Sequence, residues 1–173
     1  SEYRTDVREF LYLVQNSEPG RSVFLLGQSL GGLIALDYAV RFPEGLRGVI
    51  ASAPVLTEPR TSPIQRALLI VLSRLWPRLR LRPSLEMAGL SRDPDEIKKI
   101  MEDPLTDLWF TPRMFTETLA TMRWLQLHAV ELRIPLLMIH GTADKLSSPD
   151  GSRSFFDKVG IADKTLRLYE GGF

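Results

Sequence analysis

The sequence predicts an α/β protein: a mostly parallel sheet flanked by helices and interrupted by a helical cap insertion. Short apolar β-type runs alternate with apolar helical runs over residues 1–53, and again over 134–173. The links between them are short and rich in Gly and Pro, as parallel βα units require. From about residue 54 to 133 this alternation lapses into helical patterns set apart by prolines. The expected organisation is a discontinuous core, 1–53 with 134–173, and an inserted cap or lid, 54–133.

Near the N-terminus, Val7, Phe10, Leu11 and Val14 fall at i, i+3, i+4 and i+7, the stripe of a helix packing on a sheet. Glu18-Pro19-Gly20 then turns the chain into a short buried strand, Val23 to Leu26. Leu33, Ile34, Leu36, Tyr38 and Val40 mark a mostly buried helix, stopped by Arg41-Phe42-Pro43-Glu44-Gly45. Leu46 to Ala51 is the next strand. Pro63, Pro77, Pro83, Pro94, Pro104 and Pro112 divide the insertion into helical pieces. Ile134 to His140 is another apolar strand run. Ser148-Pro149-Asp150 reads as an N-cap followed by proline at the first helical position. Thr165 to Tyr169 alternates with period two, the last strand. Such a chain implies a sheet covered on both faces.

Composition narrows the function. The 173 residues are 44% hydrophobic, enough for a real core. A net charge of +1 supplies no bulk field for nucleic acid. Zero cysteines exclude a disulfide scaffold, a cysteine nucleophile and thiolate metal sites. No apolar run reaches the roughly 18 residues a membrane-spanning helix needs.

Chemistry concentrates at Gly27-Gln28-Ser29-Leu30-Gly31, between a strand and a helix. This is the G-x-S-x-G nucleophile elbow in the context it requires. Ser29 is the candidate nucleophile, and the backbone N–H of Leu30 a candidate oxyanion donor. Gly27 and Gly31 are expected to remove collisions across the turn, and Gly32 to let the helix lie close to the strand. The plain alternative is an ordinary glycine-containing turn. Asp144 lies on the loop leaving the Ile134–His140 strand, where an acid that orients a histidine belongs. Its alternative is a solvated loop carboxylate, with Asp150 and Asp157 the next nearest acids. His128 and His140 are the only histidines. His140 reads as structural at a strand end and His128 as packed or superficial on a helix; neither follows the last strand, where the base is expected.

The insertion carries Arg60, Arg66, Arg74, Arg78, Arg80 and Arg82 with no acid or lysine between them, interleaved with leucines and Trp76. It reads either as a lid docking on an anionic lipid surface, or as a cap helix with solvated arginines. The acidic stretch Asp93 to Asp107 reads as a solvated face, because Asp93, Asp95 and Glu96 lack the glycine and spacing of a calcium loop.

Three segments together resemble the monoacylglycerol lipase and lysophospholipase branch of the α/β-hydrolases: Gly27 to Gly32, His140-Gly141-Thr142-Ala143-Asp144-Lys145, and Ala162 to Gly171. The resemblance implies a partial α/β-hydrolase fold with Ser29 as nucleophile and Asp144 as acid, no metal or organic cofactor, and a lipid monoester or other small ester as substrate. It places the family histidine at or just beyond the residue after Phe173, and the His-Gly oxyanion motif upstream of residue 1. A fragment cut at both ends, inactive alone, is therefore expected. The location implied is cytoplasmic or at a membrane periphery. Another serine hydrolase of this fold, such as an aminopeptidase or thioesterase, and a non-catalytic binding or scaffold protein stay open as alternatives.

Overall fold

The computed structural model describes residues 2–59, 61–82, 89 and 91–172. Arg60, Pro83 and Phe173, which figure in the sequence reading, lie outside them. Among the described residues, β1 (Phe24–Gln28), β2 (Gly48–Ser52), β3 (Leu136–Gly141) and β4 (Lys164–Tyr169) form one parallel sheet in chain order. The helices are α1 (Glu2–Ser17), α2 (Leu30–Arg41), α3 (Pro63–Leu75), α4 (Pro94–Glu102), α5 (Pro112–His128) and α6 (Pro149–Lys158), with a 3₁₀ turn at Ala129–Glu131.

Contacts divide the chain into two units, residues 1–58 with 121–172, and residues 59–120. Residues 54–58 and 121–133, expected in the insertion, thus belong with the sheet. The reason is local: Leu56, Met122, Leu125, Ala129 and Leu132 are all buried. A single helix, α5, carries the chain across the second boundary, and no break in its periodicity marks the change of partner.

Register sorts the strand residues by face. Leu25, Val49, Leu136 and Lys164 share one row, and Gly27, Ala51, Met138 and Leu166 the next on the same side. α2 packs on β1 and β2, and α6 on β3 and β4. The opposite face carries Leu26, Ile50, Leu137 and Thr165 in one row, with Leu26 65% exposed, and Ile50, Leu137 and Thr165 line a depression of about 360 Å³. Among the described residues, the helices that pack on the strands lie on the first face, so the expected cover of both faces is seen on one. Right-handed crossovers that step in one direction leave their helices on one side, and the second side is filled only where strand order reverses. These four strands do not reverse.

α1 packs on α2 rather than directly on the sheet. Only Leu11 of its predicted stripe is buried, and Phe10 is 64% exposed. The contact is partly ionic. The buried carboxylate of Asp37 receives Arg41 Nε at 2.8 Å and lies 3.5 Å from Arg4 Nη1, and the Arg41 guanidinium covers the Trp124 ring. Burial of the neighbouring Tyr38 pushes its phenol up from its ordinary pKa.

In the second unit, Ser62 and Gln65 form a reciprocal capping box at the start of α3, with Pro63 at the first helical position. Asp93 caps α4 through the N–H of Asp95. Leu81 and Phe110 exchange a pair of backbone hydrogen bonds. Arg80 binds both carboxylate oxygens of Asp107, at 3.2 and 3.0 Å, and lies over Trp109. α3 has no buried residue.

Candidate active site

β1 ends at Gln28, paired with Ser52, and α2 begins at Leu30. Ser29 makes the whole turn between them with φ 52° and ψ −118°, a conformation that costs a non-glycine residue roughly 1–3 kcal/mol. Its surroundings over-determine it. The Ser29 N–H donates to the Ser52 carbonyl at 2.9 Å, and its own carbonyl accepts from Leu33 and Val55, both at 3.1 Å. Serine at a helix N-cap ordinarily spends its hydroxyl on the first turn. Ser29 stands at the N-cap of α2 and makes no such bond, and it is exposed. Leu30, at the first helical position, has an N–H with no carbonyl one turn back to receive it, at the positive end of the helix.

The glycines act unequally. A Cβ on Gly27 would fall on the carbonyl of Gly31 and the nitrogen of Gly32, so none fits. A Cβ on Gly32 would stand 2.9 Å from Pro54 Cβ and 3.2 Å from the Gly27 carbonyl, which confirms the expected close approach of helix to strand. Gly31 departs from expectation. A Cβ there meets nothing within 4 Å among the described residues. In the expected collision Gly31 contributes its backbone, and the missing side chain that matters is that of Gly27.

Asp144 follows β3 by three residues. Its Oδ1 accepts the N–H groups of Leu146 at 2.8 Å and Ser147 at 2.9 Å, folding the loop about the carboxylate. Its Oδ2 lies 3.3 Å from Nε2 of His140. The Ser147 hydroxyl donates to the Pro54 carbonyl at 3.0 Å, and the Ala53 N–H donates to Ile139 at 2.7 Å. Ala53, with φ 42°, is the other non-glycine residue at positive φ among those described. The short segment Ala53–Val55 therefore ties the Asp144 loop on one side and Ser29 on the other. Sequence reasoning passed over this segment; a small residue and a proline directly after a strand were its only signal.

The loop after β4 joins the same region. The Thr142 N–H donates to the Tyr169 carbonyl and the Ala143 N–H to that of Gly172, both at 2.9 Å. The Gly171 N–H donates to the Thr142 hydroxyl at 2.8 Å.

The two histidines are held elsewhere. His140 is 1% exposed, with Nδ1 2.8 Å from Ser152 Oγ and Nε2 2.9 Å from the Ser147 carbonyl. His128 donates from Nδ1 to the Trp124 carbonyl and stacks on the Trp124 ring. Carboxylates of the acidic stretch serve local turns: Asp103 accepts from Leu105 N–H, and Asp107 from Trp109 N–H. No group of three or more His, Cys, Asp or Glu converges among the described residues.

A family model described as serine aminopeptidase, S33, matches residues 1–173. The monoacylglycerol lipase of Mycolicibacterium smegmatis is 30% identical, over 99% of this chain and 61% of that protein. The caffeoylshikimate esterase of Arabidopsis thaliana is 33% identical, over 94% of this chain and 51% of its own length. The crystal structure of the Paleococcus ferrophilus monoacylglycerol lipase matches with a TM-score of 0.84 at 35% identity, over 95% of this chain and 65% of that one. The chain thus spans about half to two thirds of the length of these proteins.

Proposed function

The chain belongs to the serine aminopeptidase S33 family and has the α/β-hydrolase fold, and from that premise we propose that it is a serine ester hydrolase of the monoacylglycerol lipase type. The observation that carries this reading is the exposed Ser29, held at φ 52° before α2 with its hydroxyl unspent on capping. Ser29 Oγ attacks the ester carbonyl, and the Leu30 N–H stabilises the oxyanion that forms. Asp144, its Oδ1 occupied by two N–H groups, presents Oδ2 to the imidazole that takes the serine proton. Water then releases the acyl group. No step needs a metal or organic cofactor.

The base in this reading is neither histidine of the chain. His140 touches Asp144, but both its ring nitrogens are engaged and its side chain has no open surface. This reading takes the base from a histidine other than these two, reaching Asp144 beside the loop after β4, which hydrogen bonds hold against the Asp144 loop.

The second unit supports a lipid monoester as substrate and a role as lid. Ile64, Leu68, Val71 and Leu75 recur at i, i+4, i+7 and i+11 along α3, exposed by 81%, 55%, 49% and 78%. Trp76 and the exposed Arg74, Arg78 and Arg82 extend that surface. An apolar stripe flanked by arginines suits peripheral contact with an anionic membrane. No described helix is long and apolar enough to cross one. On this reading the protein works in the cytoplasm or at a membrane periphery.

The test uses the full-length polypeptide carrying this chain. A fluorophosphonate probe labels the wild type and not Ser29→Ala, and monoacylglycerol is hydrolysed in preference to aminoacyl anilides. Asp144→Asn lowers kcat by about 10⁴-fold. No labelling would turn the assignment toward a non-catalytic scaffold. Preference for a soluble aromatic ester or an aminoacyl anilide would keep Ser29 and overturn the lipid substrate.

A further inference from the structure

Polar side chains are costly to bury unless each finds a partner. Among the described residues the buried polar ones are Asp37, His140, Ser147 and Ser152. Asp37 is paired with Arg41. The other three converge on one point, the loop of Asp144.

Their bonds have a direction. The Ser147 carbonyl, 2.9 Å from His140 Nε2, can only accept, so Nε2 carries the proton. In the neutral ring Nδ1 is then an acceptor, and the Ser152 hydroxyl, 2.8 Å away, donates to it. The chain runs from Ser152 on α6, through His140 at the end of β3, to Ser147. Ser147 in turn donates its N–H to Asp144 Oδ1 and its hydroxyl to Pro54. The same Nε2–H edge stands 3.3 Å from Asp144 Oδ2. An apolar residue at 140 would leave the buried Ser152 hydroxyl and the Ser147 carbonyl without this partner, so the three residues form one unit that ends at the Asp144 carboxylate.

We infer that His140 is a positioning residue for Asp144, with the Ser147 carbonyl fixing its tautomer, Ser152 holding the far edge of the ring and the Ser147 N–H passing the constraint to the carboxylate. This rests on the assignment of Asp144 as the acid. His140 exchanges no proton with substrate; it fixes the rotation of the carboxylate, so that Oδ2 faces the base at one angle.

The test is steady-state kinetics on a short ester, with thermal unfolding alongside, in the full-length polypeptide. Asparagine places its amide near the Nδ1 position and glutamine near Nε2. His140→Asn therefore keeps the Ser152 bond and loses the edge facing Ser147 and Asp144, whereas His140→Gln does the reverse. We expect His140→Asn to lose about 10- to 100-fold in kcat at unchanged KM, and His140→Gln to recover most of that loss. Ser152→Ala, a milder change for the fold, should lower kcat several-fold. Equal losses in both His140 variants would show plain packing and overturn the inference. So would a folded His140→Asn within twofold of wild type or, if that variant does not fold, an unaffected Ser152→Ala. Asp144→Asn separates the two levels. If it is silent, the acid assignment itself fails; if it abolishes turnover while His140→Asn does not, only the positioning role fails.

Discussion

Gly27 Cα meets the Gly31 carbonyl so closely that no side chain fits between them, while the Cα of Gly31 itself faces open space among the described residues. The two glycines of the elbow should therefore respond differently to a methyl group. Gly27→Ala forces backbone against backbone, which cannot relax as a flexible side chain would, and should cost about 3 kcal/mol or more. Gly31→Ala meets nothing and lies in a helix, where alanine gains up to about 1 kcal/mol over glycine. Denaturant unfolding of both variants checks the contrast. Equal destabilisation would mean that the turn tolerates no side chain at either position.

Ser29 holds a conformation suited to glycine. Relief of roughly 1–3 kcal/mol of strain outweighs the roughly 0.5–1 kcal/mol that glycine loses through a freer unfolded chain. Ser29→Gly should thus raise stability by about 1 kcal/mol while removing all fluorophosphonate labelling. A lower melting temperature in this variant would show that the serine side chain supports the turn.

Residues 1–173 prepared alone should turn over short nitrophenyl esters negligibly, because His140 is sealed and His128 is stacked on Trp124. A triad without its base retains only about 10³–10⁴-fold catalysis over water. Robust Ser29-dependent turnover would require one of these two histidines to swing into use, contrary to their hydrogen bonds.

The arginines of the second unit should separate into two classes. Arg80, bound to Asp107 and lying over Trp109, supports its own unit, so Arg80→Gln should lower the melting temperature. Arg74, Arg78 and Arg82 are exposed. Near an anionic surface each contributes about 1 kcal/mol, so the triple change to glutamine should raise the apparent KM on anionic vesicles, less so in high salt. Turnover of a short soluble ester should not change. Equal losses on both substrates would remove the membrane argument.

The sequence pattern discloses whatever is local in these residues. Gly27 to Gly32 and Ser148-Pro149 mark real turns because their geometry depends on a few neighbouring side chains. The period-two run at Thr165–Tyr169 is a strand with alternating burial. What is not local stays hidden. That the helices packed on the described strands share one face follows from strand order, which periodicity does not encode. Phe10 looks apolar and in phase, yet α1 meets a neighbouring helix with a narrower seam. The link from Ser29 through Val55 and Pro54 to Ser147 joins residues more than 90 positions apart, and nothing in the sequence near Ser147 announces it.

Glu58 and Arg123 stand on either side of residues 59–120 in the chain, and in space Arg123 Nε donates to Glu58 Oε1 at 2.6 Å. The excursion leaves the sheet and returns through a single gate. The entropy of closing a loop rises by only about 0.6 kcal/mol for each doubling of its length, so an excursion of sixty residues costs only about 2 kcal/mol more to close than one of six. Insertions of very different size and chemistry can hang from one hinge point while the sheet keeps its register. The segment between Glu58 and Arg123 can then change in length and sequence with the serine turn left untouched.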